Sequence, residues 1–485
     1  MSQRKPSRLA WLDALRGVAA LCVVVDHGNT LVLRGAQAFW SQWLDLGQYG
    51  VFVFFLVSGY IIPASLERKG SLRQFWVSRA FRLYPLYLLA IALSVIGYKT
   101  GFGTLRGAEH TPSVAVASWL LMIPNLLSGP NVPNVTWTLS YEMTFYLLLA
   151  ALFSVRAHRH SGGYALACAI VVLGVGGMLP MAALDGGRGL LNPGNVDFAV
   201  DVAILAGIGL SVTGLGGRLG RLVPVGGAWL AALTGLLLLT VNQNHYPFPW
   251  SGYTILAFMF TGTLIYRAEQ GQVSKTLAAV IAVAVLAMTL GGGLWHGAQQ
   301  PALGADSTQW RYQWVTSLAG AAATFGIGLA LRHRRVPRVL AWLGMISYSL
   351  YLIHPLVLDA FRDIRPLHDA SRGLAVQIPL ACGLLAVIIA ASAATYYLVE
   401  KPMQKAGHAV GRRWERRLSA EGQPVAGGQP VPEGLVTTGA SDGLDSGGAD
   451  SGSDPSGRAG AGTAVAADRS ASISRAVPGG SGGSP

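Results

Sequence analysis

Hydrophobic residues run along most of this chain in long blocks, separated by short polar breaks. Blocks of roughly 17 to 25 apolar residues are long enough to cross the hydrocarbon core of a bilayer as helices. About twelve such blocks occur before residue 402. They lie at residues 12–32, 50–66, 82–98, 139–155, 164–184, 198–214, 226–241, 251–267, 275–295, 315–331, 342–360 and 376–400. The pattern predicts an all-α fold, a polytopic transmembrane helix bundle of about 10–12 spans.

Composition agrees with a membrane protein, since 52% of the residues are hydrophobic and 12% are charged. The formal net charge of +13 comes from basic residues in alternate polar breaks. They are not interleaved with aromatic residues, so no nucleic-acid partner is expected. The positive-inside rule instead predicts a multi-pass protein of the inner (plasma) membrane with both termini in the cytoplasm. One break opposes this rule, because Arg362, Arg365 and Arg372 fall on the predicted outer side.

The composition changes after Pro402. The segment MQKAGHAVGRRWERR is basic, and the chain from about residue 418 is rich in Gly, Ser, Ala and Pro. A membrane domain at residues 1–405 is therefore predicted, followed at 406–485 by a basic juxtamembrane segment and a disordered tail. A dispensable extension is the simplest interpretation of the tail.

Ionisable residues interrupt the first apolar block, RLAWLDALRGVAALCVVVDHG. An ionisable side chain near the bilayer centre costs on the order of 3 kcal/mol or more, so such residues face a partner or a cavity. At helical spacing Asp13, Arg16 and His27 share one face, whereas Asp26 points elsewhere. The first span is thus predicted to carry one polar stripe.

Two later spans bring ionisable residues to the same predicted depth. Glu142 begins a span that runs inward, and His354 lies in the outer half of a span that runs outward. A histidine beside a carboxylate suits general-base catalysis, so His27, Glu142 and His354 are candidates for a buried reaction centre. The alternatives are a helix-to-helix hydrogen bond for His27 and a structural ion pair for Glu142.

Two further features have both a functional and a structural interpretation. Ser58 and Gly59 lie near mid-membrane, where small residues either permit close helix packing or leave room for a substrate chain. Arg79 and Arg82 share a helical face at the cytoplasmic boundary, where arginines anchor helices or clamp phosphates.

Five segments together resemble the integral-membrane acyltransferase family 3. They are LDALRGVAALCVVVDHG, FVFFLVSGYII, SRAFRLYPLY, WTLSYEMTFYLL and ISYSLYLIHPLVL, in the family's order, and TYYLVEKP closes the domain. The resemblance covers roughly residues 9 to 405. It implies an enzyme that moves acyl groups from a cytoplasmic donor to hydroxyls of glycans and related acceptors.

The resemblance also implies roles for individual residues. His27 matches the essential histidine of the first span, with Asp13 and Arg16 in the same signature. Arg79 and Arg82 match an Arg-x-x-Arg-x-x-Pro element that is thought to face the donor.

Two more elements match in the later spans. Trp137 and Glu142 match a Trp-x-x-x-x-Glu element, and Tyr351 and His354 match a late Tyr-x-x-His element. Trp137, Tyr351 and His354 are the residues expected near the substrate. Trp137 has an alternative interpretation, because tryptophan also marks any membrane interface.

The expected reaction uses acyl-coenzyme A, by default acetyl-coenzyme A, as its donor. The phosphates of the donor would dock on Arg79 and Arg82, and its pantetheine arm would extend past Ser58 and Gly59 towards His27.

His27 is expected to act as the base, oriented by Glu142 or Asp13, while a carbohydrate or glycolipid hydroxyl accepts the acyl group. Direct transfer and a transient acyl-histidine are both compatible with these residues. No cofactor is expected to be bound permanently, and the three cysteines have no metal-like spacing.

Two rival interpretations stay open. A proton-coupled transporter would also use about twelve spans with intramembrane His and Glu residues, although no related halves are visible in the sequence. The second rival interpretation is an inactive relative of the family that serves as a scaffold or sensor. Turnover of coenzyme A by the purified protein separates the enzyme from the carrier.

Overall fold

A computed structural model describes most of the predicted membrane domain. The described residues are 10–29, 31–33, 38–101, 112–124, 130–178, 229, 250–299, 307–362, 364 and 373–420. The chain divides into two units, residues 1–437 and 438–485. The second unit, the predicted span 198–214 and all but one residue of the span 226–241 lie outside the described residues. The predicted disordered tail from about residue 421 onward lies outside them as well.

Every regular element in the described residues is helical, which confirms the all-α class. The α-helices, numbered in chain order, are α1 Ala10–Asn29, α2 Leu46–Lys69, α3 Leu72–Lys99, α4 Pro112–Leu121, α5 Trp137–Ser154, α6 Ser161–Val175, α7 Ser251–Glu269, α8 Lys275–Gly297, α9 Ser307–Ala330, α10 Arg338–Met345, α11 Ser347–Phe361, α12 Leu374–Thr395 and α13 Lys401–Ala420. A 3₁₀ turn at Asn134–Thr136 precedes α5, and a π-helical turn at Tyr396–Glu400 joins α12 to α13.

Several of these helices are long and apolar enough to cross a membrane. Among the described residues five pass that test, and a sixth is formed if α10 and α11, bent by 68° at their junction, make one span. The multi-pass class is therefore confirmed, whereas the predicted count of about 10–12 spans stays a prediction. Helix α1 falls outside the five because Asp13, Arg16 and Asp26 lower its apolar character.

Helix α1 is packed between α2 on one side and α10 and α11 on the other. It runs antiparallel to α2, because Trp11 packs on Tyr60 at one end and Ala19 lies against Gly50 further along. It runs parallel to α11. We call the end of the bundle at which α1 begins and α2 ends the proximal end, and the opposite end the distal end.

Backbone contact fixes the position of α1 against α10. A Cβ atom on Gly344 would lie 2.0 Å from the carbonyl oxygen of Asp13, so only glycine permits this approach. The contact places the acidic end of α1 directly beside the bend between α10 and α11.

The turn between α2 and α3 is determined by local sequence. Gly70 adopts a left-handed conformation with φ 62° and ends α2. Ser71 then caps α3 by accepting a hydrogen bond from the backbone N–H of Gln74. This tight turn sets where Arg79 and Arg82 emerge on α3.

Ion pairs fix helices together at the proximal end. Arg267 at the end of α7 pairs with Glu67 at the end of α2, and it also donates to the carbonyl oxygen of His158 at 2.9 Å. Arg332 pairs with Glu269 at 2.6 Å. Arg267 is 1% exposed, so its pairing satisfies a buried charge rather than a surface one.

Candidate active site

A pair of histidines joins α1 to α11 towards the distal end. Nδ1 of His27 lies 2.9 Å from Nε2 of His354, and the ring centroids are 5.1 Å apart. His354 is fully buried. The structure thus brings together two residues that are 327 positions apart in the sequence.

The hydrogen bonds of His354 assign the protons of the pair. Its Nδ1 lies 3.1 Å from the carbonyl oxygen of Leu350, which can only accept, so Nδ1 carries a proton. In a neutral ring Nε2 is then an acceptor, and the N–H at Nδ1 of His27 donates to it. This assignment rests on the network of partners. It leaves the lone pair of neutral His27 on Nε2, the nitrogen that can take a proton from a substrate.

Tyr351 connects the histidine pair to α5 and α2. Its hydroxyl lies 2.9 Å from Oγ1 of Thr138 and 3.3 Å from the carbonyl oxygen of Val135. Its ring is stacked on Phe54, with centroids 6.4 Å apart and planes inclined by 14°. Tyr351 therefore packs against the elements that flank His354 and holds that part of α11 in place.

A cluster of charged residues, which we call the arginine cluster, lies nearer the proximal end. It consists of three arginines and three carboxylates from four elements. Its members are Asp13, Arg16, Arg79, Arg82, Glu142 and Glu400. Arg16 interacts electrostatically with Asp13, Glu142 and Glu400, and its Cζ lies 5.7 Å from the centroid of the Phe54 ring.

Glu142 belongs to the arginine cluster, which corrects the predicted depth of this residue. It accepts a hydrogen bond from Tyr146 and interacts electrostatically with Arg16 and Arg79. The sequence predicted Glu142 beside His27. The difference arises because residues 131–135 line the same pocket as His27 before α5 begins, so Glu142 lies deeper than topology alone suggests.

The predicted orienting carboxylate is therefore replaced by a second histidine. Asp13 lies near the start of α1, with its backbone against Gly344 and its charge near Arg16 and Arg82. His354 occupies the position that the sequence analysis assigned to Glu142 or Asp13. A neutral imidazole performs the same orienting task without placing a second charge in the membrane.

The two arginines predicted to clamp phosphates differ in burial, and the clamp itself stays a prediction. Arg79 is 6% exposed, and its Cζ lies 5.4 Å and 5.3 Å from the ring centroids of Phe75 and Tyr146. It therefore supports the side chains around Glu142. Arg82 is half-buried and is the more accessible of the two.

Gly59 is a helix-packing residue. A Cβ atom there would lie 1.9 Å from the carbonyl oxygen of Met259, and the carbonyl oxygen of Gly59 accepts a hydrogen bond of 2.8 Å from Thr263. Helix α7 thus fills the space that the sequence analysis considered for a substrate chain. Ser58 is buried in the same α2 segment.

Two cavities lie near the helices that carry the histidine pair. The first is an apolar slot of about 20 Å³ between α1, α2, α5 and α11, with Val23, Phe54 and Tyr351 in its walls. The second is a polar pocket of about 240 Å³ that opens at the distal end and has His27 in its wall. Asn131, Asn134, Asp359 and Arg362 also line it, and the last two form an ion pair at 4.0 Å.

Trp137 lies at the start of α5 and is half-buried against the core. Its ring meets Tyr141 edge-on, with centroids 6.1 Å apart. These contacts describe a packing residue near the histidine pair, and its role towards a substrate stays a prediction.

Sequence reasoning missed several residues of the site. Glu400 received no role, although a carboxylate at the end of a long apolar block was a visible signal. Thr138 and Asn131 gave no signal, because small polar residues are common near helix ends. Arg362 was noted only as an exception to the charge rule, and its place in the distal pocket gives that exception a structural reason.

Comparison with known proteins adds independent findings. The family model described as an acyltransferase domain matches residues 9–397. The chain is 34% identical over 149 residues to Acyltransferase MdmB of Streptomyces mycarofaciens, which covers 29% of this chain and 38% of that protein. It is 30% identical over 180 residues to Nodulation protein 10 of Rhizobium leguminosarum bv. viciae, covering 33% and 48%.

A third relative is Peptidoglycan O-acetyltransferase OatA of Listeria monocytogenes, 30% identical over 160 residues that cover 30% of this chain and 24% of that protein. The chain thus matches less than half of the length of each of these three relatives. No solved structure matches.

Proposed function

Because the chain belongs to the acyltransferase family whose domain model matches residues 9–397, we propose that it is a membrane-embedded O-acyltransferase. It moves an acyl group, by default acetyl, from cytoplasmic acyl-coenzyme A to a hydroxyl of a carbohydrate or glycolipid. One relative is named a peptidoglycan O-acetyltransferase, which supports a carbohydrate acceptor. The proximal end faces the cytoplasm in this proposal, within a plasma membrane.

The observation that carries the proposal is that His27, hydrogen-bonded to His354, lines the polar distal pocket, while a separate apolar slot lies between α1, α2, α5 and α11. The apolar slot lies on the side of the arginine cluster, and the polar pocket opens at the distal end. An acyl thioester has a thin, uncharged arm and a phosphate-bearing head, which match the apolar lining of the slot and the charges of the arginines respectively; the slot must widen to admit the arm. A polyhydroxylated acceptor suits a pocket lined by amide, carboxylate and guanidinium groups.

The donor crosses the distance between the two regions along α1. Arg16 and His27 are separated by eleven residues, which is about 16 Å on an α-helix. In the proposed arrangement Arg82 meets the donor phosphates, and Arg79 keeps Glu142 and Tyr146 in place around them. The acyl carbon then lies near Nε2 of His27.

The histidine pair performs the proton transfers. Nε2 of His27 takes the proton of the acceptor hydroxyl while that oxygen forms its bond to the acyl carbon. The carbon–sulfur bond then breaks, and the imidazolium of His27 returns the proton to the thiolate, which leaves as the free thiol. Nε2 of His354 accepts from Nδ1 of His27 throughout and stabilises the transient imidazolium.

The test is thiol release from acetyl-coenzyme A by purified, reconstituted protein, with cell-envelope extract as the acceptor. Wild type is compared with His27→Gln and with His160→Gln, an exposed histidine outside the site. We expect release by wild type and by the control, and a loss of at least about 100-fold in His27→Gln. Size-exclusion profiles check that each variant is folded.

Two outcomes contradict the proposal. Release that survives in folded His27→Gln means that the reaction centre lies elsewhere. Absence of release from wild type, together with proton-coupled uptake of a solute into the vesicles, identifies a carrier instead.

A further inference from the structure

Glu400 closes a π-helical turn, a rare element that interrupts the path from α12 to α13. The turn spans Tyr396–Glu400, directly after the apolar helix α12. Turns of this kind are frequent at functional sites, because they rotate a side chain out of the regular helical register. Here the rotated side chain is a carboxylate that is only 2% exposed.

The carboxylate of Glu400 joins two parts of the site. Ser349 of α11 donates a hydrogen bond of 2.8 Å to Oε2, and Gln404 donates one of 2.9 Å to Oε1. Arg82 of α3 and Arg16 of α1 interact with it electrostatically. Glu400 therefore contacts α11 through the hydroxyl of Ser349 and lies within electrostatic range of the positive charges of two other helices.

Ser349 lies on the helix that carries the distal residues of the site. It is fully buried, two positions before Tyr351 and five positions before His354. The adjacent Tyr348 donates a hydrogen bond of 2.9 Å to the carbonyl oxygen of Leu83 on α3. Helix α11 is thus fastened at neighbouring positions to the turn that holds Glu400 and to the helix that holds Arg82.

Burial of a carboxylate is costly unless it is paired and hydrogen-bonded. An apolar residue would close the α12–α13 junction without that cost. The hydrogen bond from the helix of His354, together with the nearby positive charges of two other helices, indicates a role that a charged acceptor fulfils.

We infer that Glu400 is a positioning residue for acyl transfer, which keeps the donor-facing arginines aligned with α11 and its histidine. This inference rests on the proposed function. It predicts that Glu400 affects donor binding, because Glu400 acts on Arg82. It predicts that Ser349 affects the histidine pair, because Ser349 lies on α11, the helix of His354.

The test separates these two sides by steady-state kinetics with acetyl-coenzyme A. Glu400→Gln keeps the shape and removes the charge, so we expect the KM for the donor to rise about tenfold while kcat changes less than about threefold. Ser349→Ala releases α11, so we expect kcat to fall about fivefold with little change in the KM for the donor.

The matched control is Glu269→Gln. Like Glu400, Glu269 accepts a hydrogen bond from a hydroxyl and lies near an arginine, but its partners Tyr60 and Arg332 lie outside the arginine cluster. Melting temperatures in detergent are compared for Glu400→Gln and the control. Equal melting temperatures with a raised KM only in Glu400→Gln support the inference.

Two results overturn it. If Glu400→Gln shows the same KM and kcat as Glu269→Gln while wild type is active, Glu400 only anchors the α12–α13 junction. If wild type releases no thiol, the proposed function fails and the role of Glu400 in acyl transfer fails with it.

Discussion

The distal and proximal halves of the bundle differ in how their polar residues are held. At the distal side His27 is hydrogen-bonded to the neutral ring of His354 and faces a pocket of about 240 Å³. At the proximal side helices touch backbone to backbone at Gly59 and Gly344, and buried ion pairs such as Arg267 with Glu67 join their ends. The distal half leaves space for reacting groups, whereas the proximal half is closed and charge-paired.

This difference follows from the cost of charge in a membrane. A neutral histidine pair needs one donor and one acceptor, so it tolerates an adjacent open pocket. The arginine cluster needs every charge to be balanced, and it is surrounded by aromatic rings and carboxylates. Substitutions in the distal half should therefore change turnover, and substitutions in the proximal half should change stability or donor binding.

The largest effect is expected for His354→Ala. Removal of this ring leaves Nδ1 of His27 without the acceptor that fixes its tautomer, so the proton-accepting nitrogen is no longer defined. We expect kcat to fall about 100-fold, and because the vacated space of the buried ring also lowers the melting temperature, turnover is measured well below that temperature. His160→Gln is the control, because it removes an exposed imidazole outside the site. Equal turnover in the two variants would contradict the histidine pair.

Gly59→Ala tests the closed half. The added Cβ would lie 1.9 Å from the carbonyl oxygen of Met259, so α2 and α7 must separate. We expect a loss of about 2 kcal/mol in stability, measured as a lower melting temperature in detergent, as for other overpacked contacts. Gly97→Ala is the control, because nothing lies within 4 Å of its added Cβ. An unchanged melting temperature with a raised KM for the donor would instead favour a substrate chain beside Gly59.

Glu142→Gln distinguishes the two halves directly. If Glu142 acts with the arginine cluster, kcat/KM for the donor should fall about tenfold while the pH profile of kcat keeps its shape. If it acts on His27, as its position in the sequence suggested, the pH profile itself should change. Steady-state kinetics over a pH series measures both, with His354→Ala as the reference for an altered profile.

The fold class and the common depth of the two histidines were predictable from the sequence for related reasons, whereas their hydrogen bond was not. Apolar blocks determine the helices, and their alternating direction places His27 and His354 at one depth. The depth of Glu142 was not predictable, because the pattern does not reveal that residues 131–135 enter the bundle before α5.

The packing role of Gly59 could not be decided from the sequence either, because glycine occurs both where helices pack closely and where space is left open. The sequence shows that Glu400 is a carboxylate at the end of an apolar block, but it does not show which residues Glu400 contacts. Its contacts depend on a π-helical turn, and the spacing of hydrophobic residues in the sequence does not predict such a turn.

The smallest expected effect concerns His158, in the turn between α5 and α6 at the proximal end. Burial, together with the positive charges of Arg267 and Arg159, lowers the pKa of His158 to about 4. An unfolded chain binds a proton there below about pH 6.5, whereas the folded chain binds it only near pH 4. The contribution that neutral His158 makes to the stability of the folded protein is therefore complete above about pH 6.5 and is lost as the pH falls towards 4.

We expect the melting temperature in detergent to fall less between pH 7.5 and pH 5 in His158→Gln than in wild type, by a few degrees at most because the side chain is half-exposed. His160→Gln, at an exposed histidine of the same turn, should behave as wild type. Only the difference between His158→Gln and wild type matters, since other groups titrate equally in both. If the melting temperature falls equally in His158→Gln and wild type, the folded protein does not keep His158 unprotonated. The proximal half is then packed more loosely than the contacts of Arg267 indicate.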